Sequence, residues 1–147
     1  MTGTSYRMPK FPLQPGSETL SEADTYIIES MPVRSMITFP QSGLNILEKD
    51  RKLEYRGFAW AGDAKVDEVH LSHNFGVTWT RAKLKSPVNR YAWQRWQATI
   101  ELPSKGYFEI WARATDENGN MQPMSIPQWN PKGYLNNAMH RIAVTII

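Results

Sequence analysis

An all-β fold is what this sequence predicts, an antiparallel sandwich of about seven short strands. Three observations carry that reading. Apolar residues alternate with period two in one stretch after another. Turn signals rich in Gly, Pro, Asn and Asp separate those stretches at the spacing usual for sandwiches. No stretch shows the 3.6-residue apolar period of an amphipathic helix.

Residues 1–30 read as an extended arm. Met8-Pro9, Phe11-Pro12 and Gln14-Pro15-Gly16 hold the backbone open and break helix. Tyr26-Ile27-Ile28 is a short apolar patch able to pin the arm to the globular unit. That unit is 31–147. Val33 to Phe39 is an edge strand opened by Pro32 and closed by Pro40. After a turn at Gln41-Ser42-Gly43, the segment Leu53 to Trp60 puts Leu53, Tyr55, Gly57 and Ala59 on one face. Val69 and Leu71 mark the next strand, Asn74-Phe75-Gly76 a hairpin tip, and Val77-Thr78-Trp79 the start of the return. Trp96, Ala98, Ile100 and Leu102 alternate up to Pro103. Phe108, Ile110, Ala112 and Ala114 alternate up to the turn Asp116 to Asn120. Ile142, Val144 and Ile146 form the inner face of a last strand. The predicted sandwich is immunoglobulin-like, with Leu71, Trp79, Trp96, Ile110, Val144 and Ile146 as its core.

Composition excludes several function classes. The chain has 147 residues, 17 Lys plus Arg against 14 Asp plus Glu, and a net charge of +3. That balance is too mild for a nucleic-acid footprint. There is no cysteine, so no disulfide, thiolate ligand or cysteine nucleophile is available. No apolar run approaches the ~20 residues of a membrane-spanning helix. Met1-Thr2-Gly3-Thr4 lacks the charged-then-apolar order of a signal peptide. Nucleic acid and membrane are therefore not expected as partners.

No metal site is expected either. His70 and His73 start on opposite faces of a strand, His140 is distant, and no carboxylate cluster accompanies them. No nucleophile-elbow signature supports a hydrolase. Trp93 and Trp111 have the opposite parity to the core positions. They read either as sugar-binding platforms or, the preferred reading, as subunit-interface residues. A carbohydrate- or protein-binding sandwich is thus the alternative function. The segment from Gln122 to His140 lacks periodicity and is dense in Pro, Gly, Asn and Trp, which marks a shaped loop. Lys132 lies inside it between Pro131 and Gly133. Rigid backbone there would fix an ammonium suited to a small oxyanion.

Blocks of residues in one order resemble a known family. They are Tyr6-Arg7, Met31 to Thr38, Arg56 to Gly62, Gly76 to Trp79 and Ala92 to Trp96. The order continues through Ala114 to Asp116, Asn120 to Pro123, Trp129-Asn130, Gly133, Asn137 and His140-Arg141. Together they resemble the C-terminal dimerisation domain of sulfite oxidase-type molybdenum enzymes, over essentially the whole chain. The resemblance implies a homodimer-forming module. The molybdenum–molybdopterin cofactor is then expected in a separate, preceding catalytic domain, and none in this chain. It also implies that the chain alone is inactive and that electrons pass on to a haem, a cytochrome or oxygen, with a cytochrome as the candidate partner. The sequence leaves the compartment open, and the periplasm is the one the resemblance suggests. Tyr6 matches the family's active-site tyrosine, found in a Tyr-Lys or Tyr-Arg pair before the sandwich. Trp129-Asn130-Pro131-Lys132-Gly133 matches the Trp-Asn-Leu-Arg-Gly stretch that carries the family's anion-binding arginine. Lys132 keeps the charge and loses the bidentate fork. Arg141 is a second substrate-binding candidate, with support of the loop as its weightier role.

Overall fold

Where side chains alternate between core and solvent, the backbone extends and pairs. The computed structural model describes residues 5–17 and 20–147; the reading of Met1–Thr4 lies outside them. Eleven strands are labelled in chain order: β1 Arg7–Pro9, β2 Thr25–Ile27, β3 Arg34–Phe39, β4 Leu44–Ile46, β5 Lys52–Trp60, β6 Val66–Ser72, β7 Thr80–Arg81, β8 Lys83–Leu84, β9 Gln94–Glu101, β10 Gly106–Asp116 and β11 His140–Ile146. Among the described residues the only helical pieces are single 3-10 turns at Glu22–Asp24 and Glu48–Asp50, and no helix is long and apolar enough to cross a membrane.

Two sheets face each other. One runs β3-β5-β9-β8 and the other β4-β11-β10-β6-β7. The chain crosses between these two sheets five times, at β3–β4, β4–β5, β5–β6, β7–β8 and β9–β10. β3 gives way to β4 through the cis Phe39-Pro40 peptide and Gly43. β7 gives way to β8 at Ala82, a buried residue whose N–H bonds the Val69 carbonyl at 2.8 Å. β4 then runs parallel to β11, and the remaining pairs within the two sheets are antiparallel. This is the immunoglobulin-like sandwich that the alternation implies.

The core follows the predicted parities. Leu71, Trp96, Ile110, Val144 and Ile146 are buried, together with Tyr55, Val69, Leu102 and Ala114. Gly57 is required by a close approach. A Cβ there would lie 1.9 Å from the Met36 carbonyl oxygen and 2.3 Å from the Trp96 ring, so the indole lies where a side chain would otherwise stand.

One predicted core residue is placed elsewhere. Trp79 is only half-buried, and the Arg113 guanidinium lies 3.8 Å from its ring centroid, on the outer face of the second sheet. The reason is the hairpin before it. Phe75 and Gly76 both adopt positive φ, 55° and 84°, and the Ser72 hydroxyl accepts the Asn74 and Gly76 N–H groups. The tip therefore folds back over the sheet and carries Trp79 to its outside.

The arm forms a small ribbon. β1 pairs antiparallel with β2, and Met8 is buried. The patch Tyr26-Ile27-Ile28 is the part that pairs, with the Ile28 N–H donating to the Tyr6 carbonyl at 2.9 Å.

Candidate functional site

The shaped loop between β10 and β11 is anchored by one buried side chain. Gln122 is fully buried. Its Oε1 accepts the Ser35 hydroxyl at 2.6 Å and the Ala114 N–H at 2.9 Å. Its Nε2 donates to the carbonyls of Asn137 and Ala138 at 3.0 and 3.2 Å. One amide thus joins β3, β10 and the far limb of the loop. Arg34 adds a bond to the Asn136 carbonyl at 2.8 Å, and Met139 N–H bonds the Pro123 carbonyl at 2.9 Å. Among the sequence signals, only the position of Gln122 between the Asp116–Asn120 turn and Pro123 hinted at this. An isolated Gln carries no mark of burial.

His140 closes the edge of β3. Its Nδ1 accepts the Ile37 N–H at 3.1 Å. Burial, helped by the nearby Arg34 charge, pushes its pKa below the usual histidine range. It works as a neutral acceptor that ties β11 to the opposite sheet. His70 is also pushed down, first by burial, with Glu68 opposing. Among the described residues no three His, Asp or Glu gather at one place.

Lys132 lies on a turn built by Asn130. The Asn130 Oδ1 accepts the N–H groups of Lys132 and Tyr134, both at 3.2 Å, and its Nδ2 donates to the Tyr134 carbonyl at 3.1 Å. Gly133 at φ 65° completes the turn. Lys132 is exposed on this frame.

Tyr6, far away in sequence, comes to the same turn. Its ring stacks on Tyr134 with centroids 5.5 Å apart and planes 19° from parallel. Its backbone sits at φ 54°, a region that non-glycine residues seldom occupy and that is often held for function. The arm and the loop border a cleft of about 630 Å³, lined by Met8, Ile27, Met31, Ile126, Tyr134 and Leu135 among others. The structure thus brings Tyr6 and the Lys132 turn together at one end of the sandwich.

Arg141 lies beneath the loop's first limb. It donates to the Met124 carbonyl at 3.0 Å and stacks over Trp111 at 4.4 Å. The two tryptophans part company. Trp93 is 64% exposed and packs obliquely on Phe58 at 5.1 Å. Trp111 is only 5% exposed, so the expectation of an exposed platform is corrected there. Its outward parity is right. Phe75 covers it edge-on at 5.7 Å, Arg141 lies across its ring, and its indole N–H donates to Glu109 at 2.9 Å.

Comparison with known proteins gives a consistent result. The family model of the Mo-co oxidoreductase dimerisation domain matches residues 25–147. Mitochondrial sulfite oxidase of Drosophila melanogaster is 35% identical over 142 residues, covering 88% of this chain and 25% of that protein. The mitochondrial sulfite oxidase of Homo sapiens is 33% identical over 136 residues, again covering 88% and 25%. Sulfite oxidase of Gallus gallus is 36% identical over 120 residues, covering 78% and 26%. Among solved structures, the sulfane dehydrogenase SoxCD from Paracoccus pantotrophus superposes with a TM-score of 0.63 and 26% identity, covering 76% of this chain and 29% of that one. The chain spans about a quarter of the length of the curated relatives it matches.

Proposed function

This chain belongs to the family of Mo-co oxidoreductase dimerisation domains, and from that premise we propose that it is the dimerisation part of a sulfite oxidase-type oxidoreductase. In this reading residues 1–30 lead from a catalytic domain that holds the molybdenum cofactor, and 31–147 pair two subunits. The chain's own donors do not fit a molybdenum centre. It has no cysteine, and among the described residues no cluster of three His, Asp or Glu exists. No step at the metal is assigned to it.

Its contribution is to the rim of the substrate pocket. The carrying observation is the Tyr6–Tyr134 stack. It ties the arm tyrosine to the Asn130-built turn that presents Lys132. A phenol can donate a hydrogen bond to a substrate oxygen, and an ammonium with three donors neutralises a small oxyanion. Arg141 supports the first limb of the loop through the Met124 carbonyl. A lysine in place of the family's arginine holds the anion by charge and without a planar fork, which favours a substrate less dependent on bidentate geometry. The electron acceptor is proposed to be a cytochrome on resemblance alone.

In the whole polypeptide, Tyr6→Phe and Lys132→Ala are each expected to lower kcat/KM for a small oxyanion by about 100-fold, with molybdenum content unchanged. Lys132→Arg is expected to retain most of the activity. Wild-type kcat/KM in both of the first two variants overturns the pocket role.

A further inference from the structure

The positive charge of this chain is unevenly placed. From Val69 to Ile100 there is no Asp or Glu, yet Arg81, Lys83, Lys85, Arg90 and Arg95 all fall in that stretch; the rest of the chain holds 12 basic residues against 14 acidic ones. Folding brings part of this excess onto one surface. Over β10 the chain covers its own outer face: Trp111 is shut in by Phe75 and Arg141, and Arg113 lies on Trp79. Over β5, β9 and β8 it does not, and Arg56, Lys83, Lys85, Arg95 and Gln97 are exposed there.

Strand pairing sets like charges against each other on that open face. Lys83 stands beside Gln97, and Gln97 beside Arg56. The Lys85 N–H donates to the Arg95 carbonyl at 2.8 Å, so the same register puts Lys85 directly opposite Arg95. Opposed like charges destabilise a sheet. Among the described residues no acid pairs with Lys83, Lys85 or Arg95. The carboxylates of this face are already taken, Glu54 by Arg56 at 3.3 Å and Glu101 by Arg51 at 3.1 Å.

Arg56, Arg95 and Lys85 border a cleft of about 450 Å³ whose walls include Phe39 and Phe58. The Arg56 guanidinium lies 4.4 Å from the Phe39 ring centroid, and that of Arg95 lies 6.0 Å from the Phe58 centroid. A ring face steadies a guanidinium and leaves its N–H edge free for an oxyanion. We propose that this cleft binds a small phosphate monoester. Its head carries close to two negative charges at neutral pH, and its three oxygens accept from Lys85 and Arg95 together. Its apolar part lies on the phenyl rings, in a cleft of the size usual for small ligands. The bound anion relieves the repulsion between Lys85 and Arg95. This inference is independent of the dimer reading and of the pocket role of Lys132.

The test is titration calorimetry of the intact polypeptide with phenyl phosphate at low ionic strength, alongside thermal midpoints with and without it. Saturable binding and a raised midpoint are expected, with inorganic phosphate several-fold weaker because it has no ring to stack. Arg95→Gln and Lys85→Gln are each expected to weaken phenyl phosphate about fivefold. Lys49→Gln, which removes an exposed charge elsewhere, should leave binding unchanged. Neither cleft variant should lower the ligand-free midpoint, since each removes one of two opposed charges. Binding unchanged in both cleft variants overturns the site; if it is lost in Lys132→Ala instead, the anion belongs to the loop. Equal weakening by Lys49→Gln reduces the effect to general charge attraction and overturns the site as well. Inorganic phosphate binding as tightly as phenyl phosphate overturns the ester. Binding of poly-L-glutamate where phenyl phosphate fails overturns the small ligand in favour of an acidic protein surface.

Discussion

Gln122 is a neutral side chain whose four hydrogen bonds hold the loop that carries Lys132. Replacing it with Leu leaves the Ser35 hydroxyl and the Ala114 N–H buried without this acceptor. A loss of about 2–4 kcal/mol is expected, read as a lower urea midpoint. His140 makes a pH-dependent contribution. Its folded pKa lies below the ordinary value of 6.5, so it contributes fully above the unfolded pKa. That contribution fades as the pH falls from about 6.5 towards the folded value, because the unfolded chain then binds a proton the folded one resists. His70 shifts in the same direction. Urea midpoints between pH 7 and pH 5 should therefore fall with acidification. In His140→Asn, which keeps an acceptor but does not titrate, the slope should be smaller. At this scale the sequence was only partly legible. Lys132 stood out because Pro and Gly flank it, whereas the weight carried by Gln122 depends on a cavity assembled from β3, β10 and the loop.

At the level of elements, the long strands were legible because each buries one face, and a one-residue slip would expose every apolar side chain. β5, β9, β10 and β11 lie where the alternation placed them. The short strands β4, β7 and β8 were not visible. Their two or three residues are too few for a period, and they exist because the chain changes sheet beside them. Trp79 shows the same limit. Its apolar character suggested the core, yet the turn at Phe75-Gly76 carried it to the outer face, under Arg113. The contact between β3, β5 and β9 yields a sharp prediction. Gly57→Ala forces a methyl against the Met36 carbonyl and the Trp96 ring, so a loss of about 2–3 kcal/mol is expected, measured by thermal or urea unfolding.

For the whole molecule, two tryptophans of the same predicted parity separate folding from association. Trp111 is buried by its own chain and Trp93 is not. Trp111→Ala is expected to cost about 3 kcal/mol of folding stability. Trp93→Ala is expected to change folding by no more than about 0.5 kcal/mol while weakening self-association; unfolding midpoints and sedimentation distinguish the two. The sequence by itself determined the sandwich, the strand parities, the absence of any thiolate and the family, through ordered blocks from Tyr6 to Arg141. These come from local pattern, because whether a position faces core or solvent repeats every second residue. Only the tertiary structure decided that Tyr6 stacks against the Lys132 turn, that Gln122 anchors the loop, and that one sheet face is self-covered while the other is open. Each of these joins residues far apart in the chain, and packing, which no local period encodes, chooses their neighbours.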